Sequence, residues 1–180
     1  MKRARTARAA GGMVHIALLR GINVVGRRMV AMSDLRAMLE DLGFENVRTV
    51  LQSGNLVFRG GRIAEAALED LLEKEAARRL GVTTEFVVRT PDEWDAVIAR
   101  NPFPEEAVRD PGHLLVMFCK QAPGEALTIR GVKREVVRAH GREIYIVYPD
   151  GVGESRLKLN ARGTARNWNT IRKLAALARA

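Results

Sequence analysis

The sequence predicts an α+β fold on three observations. These are a strand-like apolar run near its start, two stretches with helical spacing and charged outer faces, and short β-prone segments bounded by small polar turns. Val14–Leu19 reads as a buried strand that ends at Arg20-Gly21. The next helix is expected from Ser33, a residue type that caps helix N-termini, with Asp34 in its first turn. Met32, Leu35, Met38, Leu39 and Leu42 form its inner stripe, and Gly43 stops it. Asn46–Leu51 and Leu56–Phe58 read as two short strands joined through Gln52-Ser53-Gly54-Asn55, small polar residues suited to a tight turn. After Gly60-Gly61, Ala64, Leu68, Leu71, Leu72, Ala76 and Leu80 share one helical face, opposite a charged one. Thr84–Arg89 is the next strand. The order βαββαβ is the split β-α-β pattern of ferredoxin-like sheets, so residues 13–90 are expected to form a ferredoxin-like unit.

Residues 91–180 are expected to form a smaller α/β unit packed on the first. Thr90-Pro91-Asp92-Glu93 opens a helix with a capping Thr, Pro at the first position and Glu three residues after the cap. Trp94, Val97 and Ile98 face inward, and Asn101-Pro102 ends the helix. His113–Cys119 and Glu143–Tyr148 read as strands, Ala126–His140 suits either strand or helix, and Pro149-Asp150-Gly151 is a turn. A final helix is predicted from about Thr164. On it Trp168, Ile171, Leu174, Ala175 and Ala178 share one face, and Asn169, Arg172, Lys173 and Arg179 another. Trp168 is then the core anchor of that helix.

The charge is informative once located. Of the net +9, residues 1–12 carry +4 and residues 156–180 carry +7, while 13–155 hold 19 bases against 21 acids. Residues 1–12 are therefore expected to be a disordered basic arm. They contain no apolar run of the kind a secretory signal needs, and no stretch of the chain is long and apolar enough to span a bilayer. A single cysteine, Cys119, forms no intrachain disulfide and suits a reducing compartment, so a cytoplasmic location is expected. The common phosphate-loop, dinucleotide, zinc-protease and serine-hydrolase motifs are missing. His15, His113 and His140 lack ligand spacing, so no metal and no cofactor are expected.

Four polar clusters remain. Arg20-Gly21-Ile22-Asn23, with Gly26-Arg27-Arg28 behind it, could converge on an anion, since a Gly-containing loop at a strand end exposes backbone N–H groups. The competing reading is a loop whose Arg20 and Asn23 only cap neighbouring backbone. In Gln52-Ser53-Gly54-Asn55 the turn explains Gly54 and Asn55 and leaves Gln52 over. Gly151-Val152-Gly153-Glu154-Ser155-Arg156-Leu157-Lys158 resembles an anion-cradling helix start without phosphate-loop spacing. Thr164-Ala165-Arg166-Asn167 opens the basic final helix.

The blocks HIALLRGINVVG, LGFENVRTVLQSGNLVF, NPF, YPDGVGESRLK and TARNWNTIRKL occur in that order between Val14 and Leu174. Together they resemble the family of domain of unknown function 1697. The resemblance implies an α+β fold with ferredoxin-like elements, found widely in bacteria, with no established activity. The connection from Leu159 to Thr164 is shorter than the family's usual segment.

Two functions compete. In the first, a small anionic ligand bearing phosphate or carboxylate sits in a cleft lined by Arg20, Asn23, Gln52, Ser53, Asn55, Arg166 and Asn167. None of these is an obvious general base, so no catalytic residue and no enzyme class are named. In the alternative, the C-terminal bases Arg156, Lys158, Arg162, Arg166, Arg172 and Lys173 bind nucleic acid or another polyanion without sequence preference. Stacking in the manner of RNA-recognition sheets is disfavoured, because Val14–Leu19 has no aromatic and Leu56–Phe58 has only Phe58. The amide-rich turns favour the ligand site, since bulk charge alone would not require them. A structural or interaction role is a third reading, and the oligomeric state is left open.

Overall fold

A computed structural model describes residues 12–22 and 29–180. The basic arm apart from Gly12, together with Asn23 and Gly26-Arg27-Arg28, lies outside the described residues. The architecture is mixed α+β with antiparallel sheets. It divides into two units, one formed by the described residues up to Asp92 with Ala176–Ala180, the other by Glu93–Ala175.

The first unit runs β1 (Met13–Leu19), α1 (Met32–Asp41), β2 (Glu45–Val50), β3 (Asn55–Gly60), α2 (Glu65–Leu80) and β4 (Phe86–Arg89). Its sheet has the order β2-β3-β1-β4 with every neighbour antiparallel. Ala17, Leu19, Leu56, Phe58, Phe86 and Val88 give the sheet an apolar face, which Leu35, Met38 and Leu39 of α1 and Leu68, Leu72 and Ala76 of α2 cover. Each fully buried large side chain there is worth about 1.5–3 kcal/mol. α1 does not begin at Ser33. It begins at Met32 after Ala31, with no side-chain cap; the Asp34 and Leu35 N–H groups donate to the Ala31 carbonyl. Met32 packs on the core, and that contact draws the helix back past the serine.

β4 is an edge strand, and α2 closes its open side. The Val88 N–H donates to Glu69 Oε1 and the Phe86 N–H to Glu73 Oε1, both at 2.9 Å. Two carboxylates one helical turn apart thus take the donors that an edge would otherwise offer to another chain. Glu69 is buried for this purpose, although α2's charged residues read as a solvent face in the sequence.

The second unit contains most of α3 (Pro91–Ala99), then α4 (Pro104–Arg109), β5 (Leu114–Cys119), β6 (Ile129–Arg130), β7 (Val136–His140), β8 (Glu143–Val147), β9 (Lys158–Leu159) and β10 (Gly163–Asn167). α5 (Trp168–Arg179) follows at once and begins in this unit. Its main sheet has the order β10-β5-β8-β7, antiparallel throughout, and β6 pairs with β9 alone. On one face Trp94 stacks parallel on Phe118 at 4.7 Å and donates its indole N–H to the Ile171 carbonyl at 3.0 Å. The Tyr145 hydroxyl donates to the Val97 carbonyl at 2.7 Å, and burial pushes its pKa up to about 12. On the opposite face Cys119, Ile144 and Ile146 are covered by Leu127, Leu157, Leu159 and Ala161. Cys119 is there a small buried hydrophobe.

One expectation is corrected and one open reading is resolved here. The final helix starts at Trp168, and residues 163–167 form β10, whose Ala165 and Arg166 face Met117 and Val116 of β5. Pairing with the buried β5 satisfies these backbone groups in the sheet, and that outweighs the local helical pattern. Of the ambiguous stretch 126–140, Ile129–Arg130 and Val136–His140 form β6 and β7, and Ala126 ends a 3-10 turn. No helix among the described residues is long and apolar enough to cross a membrane.

Candidate functional site

At one end of the first sheet, β1 runs out beside the start of β3. Leu18 lies opposite Asn55, and the Leu19 N–H donates to the Gly54 carbonyl at 2.9 Å. Gly54 has φ of 74°, and a Cβ there would lie 2.8 Å from both Leu19 Cβ and Ile22 Cδ1. The turn can therefore close onto β1 only with glycine at this position. Arg20 follows directly, exposed and paired with Glu85 at 2.8 Å. Such a surface pair is worth at most about 1 kcal/mol, so it holds Arg20 loosely.

Asn55 is fully buried, and its amide donates to the Val50 carbonyl at 2.8 Å and to Ser53 Oγ at 3.0 Å. It closes the turn from inside. Gln52 and Ser53 lie exposed on the outside, next to Leu51, which is 54% exposed and held at φ 58°. A left-handed leucine with its side chain in solvent is a strained feature that core packing does not explain.

In the second unit Arg166 and Asn167 close β10. Arg166 is buried and donates to Thr164 Oγ1 at 2.7 Å and to the Ala165 carbonyl at 2.8 Å. Burial lowers its pKa to about 10. Asn167 Oδ1 accepts from the Thr170 N–H and hydroxyl, each at 3.0 Å, so its side chain caps the start of α5. Arg172 and Lys173 are exposed on α5. In the Gly151–Lys158 segment, Ser155 is engaged with the Glu135 carboxylate. That hydroxyl first, then the Lys133 N–H, hold the Glu135 pKa down at about 2.

A polar groove of about 460 Å³ lies in the first unit, lined by Arg36, Glu40, Asn46, Val47, Arg48 and Ala180. It forms where β2 breaks register with β3 between Glu45 and Arg48, with Asn46 at φ 51°. Asparagine accepts that conformation more readily than most residues, and the irregularity re-aims the side chains around it. Arg48 Nη2 donates to the Leu177 carbonyl near the end of α5 at 2.6 Å, while its Nε–H is buried with no acceptor. Arg36 pairs with Glu40 at 3.0 Å. No group of His, Cys, Asp and Glu among the described residues is arranged to hold a metal ion.

The family model for a protein of unknown function, DUF1697, matches residues 13–145. The chain belongs to the DUF1697 family. The match stops within β8, so the Gly151–Lys158 and Thr164–Asn167 clusters lie beyond the part that shows membership. Conserved bacterial protein SP0830 from Streptococcus pneumoniae is similar in structure, with a TM-score of 0.68 at 23% identity over 92% of this chain and 98% of that one. At that identity the likeness is one of fold. No curated protein matches this DUF1697 chain. Arg36, Asn46 and Arg48 escape a motif reading because nothing in their spacing marks a site. The one local signal is Asn46 at the head of a β-prone run, where a left-handed residue breaks the strand.

Proposed function

We propose that this protein binds a small anionic ligand, bearing carboxylate or phosphate, in the groove beside β2. The observation that carries the reading is the convergence of Arg36, Asn46 and Arg48 on one groove, with the Arg48 Nε–H buried and without an acceptor. A buried donor left unpaired costs about 1–3 kcal/mol, and an oxyanion accepting from a guanidinium edge would remove that cost. The groove's volume of about 460 Å³ falls in the range of small-molecule sites. Arg36 is paired with Glu40, and Arg48 and Asn46 line the groove beside it. Glu40, the carboxylate side chain on the lining, is paired with Arg36, and the reading is one of binding.

We also infer that the first unit is ferredoxin-like. The strand order β2-β3-β1-β4, with helices after the first and third strands and antiparallel neighbours throughout, supports it.

The test is a titration of the isotopically labelled protein with inorganic phosphate, citrate and a nucleoside monophosphate, followed by amide chemical shifts. Binding in the groove shifts Asn46, Val47 and Arg48, and Arg48→Gln or Arg36→Gln abolishes the shifts while circular dichroism stays parental. Shifts centred instead on Arg20, Gln52 and Ser53 would move the site to the sheet end. Saturable binding that survives both arginine substitutions overturns the groove.

A further inference from the structure

A second basic feature lies within the second unit. Residues 127–162 carry eight bases against four acids. From Arg156 to Arg162 burial alternates residue by residue: Arg156, Lys158, Asn160 and Arg162 are exposed, while Leu157, Leu159 and Ala161 turn onto the Cys119–Ile144–Ile146 core. The segment is anchored by one set of side chains and presents bases with the other, about 6.7 Å apart as alternate residues of extended chain.

Its partner strand adds to the charge. Arg130 of β6 lies directly opposite Lys158 of β9. Like charges placed so are destabilising, and neither Arg130, Lys158 nor Arg156 makes an ion pair with any described residue. Of the nearby acids, Asp150 is paired with Arg134, Glu135 accepts from the Ser155 hydroxyl, and Glu154 makes no ion pair with any described residue.

A two-residue ribbon would be too short to hold itself, yet it is fastened from both sides. The Thr128 N–H donates to Asn160 Oδ1 at 2.8 Å, and Asn160 Nδ2 donates to the Ala126 carbonyl at 2.7 Å. Gly131, at φ 71°, passes so close to Arg156 that a Cβ would sit 2.2 Å from its carbonyl oxygen. The fold thus commits specific hydrogen bonds and a close backbone approach to keeping unneutralised cations side by side.

We propose that the β6–β9 ribbon, with Arg130, Arg156 and Lys158 as its principal cations, binds the phosphate backbone of single-stranded nucleic acid without reading sequence. Cations at alternate residues of an extended strand are spaced comparably with successive phosphates of an extended nucleotide chain. Prior fastening of the ribbon lowers the ordering cost of binding. Of the C-terminal bases expected to bind polyanions, Arg156 and Lys158 belong to this surface, whereas Arg166 is buried in β10.

The experiment uses the full chain and a fluorescein-labelled, mixed-sequence oligonucleotide, read by anisotropy from about 50 to 200 mM salt. Replacing Arg130 and Lys158 together by Ala should weaken binding and reduce the slope of log K against log salt by about 1.4, since each phosphate left unneutralised on a single strand lowers it by about 0.7. The same variant should melt at or above the parental temperature, because it removes a like-charge pair from an exposed site. Arg172→Ala/Lys173→Ala, on α5, should leave the slope unchanged. A parental slope in the ribbon variant, or an equal reduction in the helix variant, overturns the proposal. So does association with phosphatidylserine vesicles in the absence of oligonucleotide binding.

Discussion

Replacing Asn55 separates a turn clamp from a ligand contact. Its amide makes two hydrogen bonds inside the β2–β3 turn, to the Val50 carbonyl at 2.8 Å and to Ser53 Oγ at 3.0 Å, and the residue is fully buried. Asn55→Ala removes both bonds, each worth about 1 kcal/mol, and leaves the Val50 carbonyl with one partner fewer. The expected loss is about 2–3 kcal/mol, or roughly 4–12 °C in Tm for a chain of this size. Asn55→Asp keeps the shape but turns a donor into an acceptor facing a carbonyl oxygen, so it should cost more than the alanine change. Thermal unfolding followed by far-ultraviolet circular dichroism measures both. The reasoning fails if Asn55→Ala melts within about 1 °C of the parent, or if Asp is better tolerated than Ala. A variant with parental stability that no longer binds phosphate or citrate would make Asn55 a ligand residue after all.

Trp168→Ala should destabilise by about 3–5 kcal/mol, because the indole anchors the start of α5 and is 4% exposed; parental denaturant unfolding, read by the fluorescence of Trp94, would contradict that role. Gly54→Ala should cost more than about 1 kcal/mol, since it adds a Cβ 2.8 Å from Leu19 and Ile22 at a left-handed φ. A neutral result in thermal melts would mean that the sheet end yields more easily than the geometry implies. Burial lowers the pKa of His15, against the opposing effect of its hydrogen bond to Gly61. The unfolded chain therefore protonates first: this contribution is complete above about pH 6.5 and declines as the pH falls below it. His15→Phe should flatten that part of the stability profile between about pH 7 and pH 5, and an unchanged profile in the variant would refute it.

Local pattern was sufficient wherever one element answers to its own periodicity. The apolar run of β1, the Leu68–Leu72–Ala76 stripe of α2 and the Thr90-Pro91 start of α3 are each visible within a dozen residues, because side-chain direction repeats every two or 3.6 positions. What the pattern could not supply was the identity of long-range partners. Thr164-Ala165-Arg166-Asn167 reads as the head of a helix until β5, some fifty residues earlier, offers it a sheet edge; Asn167 then becomes the helix cap. Glu69 looks like a solvent-face charge until the β4 N–H groups need an acceptor. Arg48 acquires its meaning from the Leu177 carbonyl, and Arg130 from Lys158, across intervals that no periodicity spans. Hydrophobic spacing states which face is buried, whereas the partner of a polar group depends on which distant backbone the fold brings within hydrogen-bonding distance. That was decided only in three dimensions.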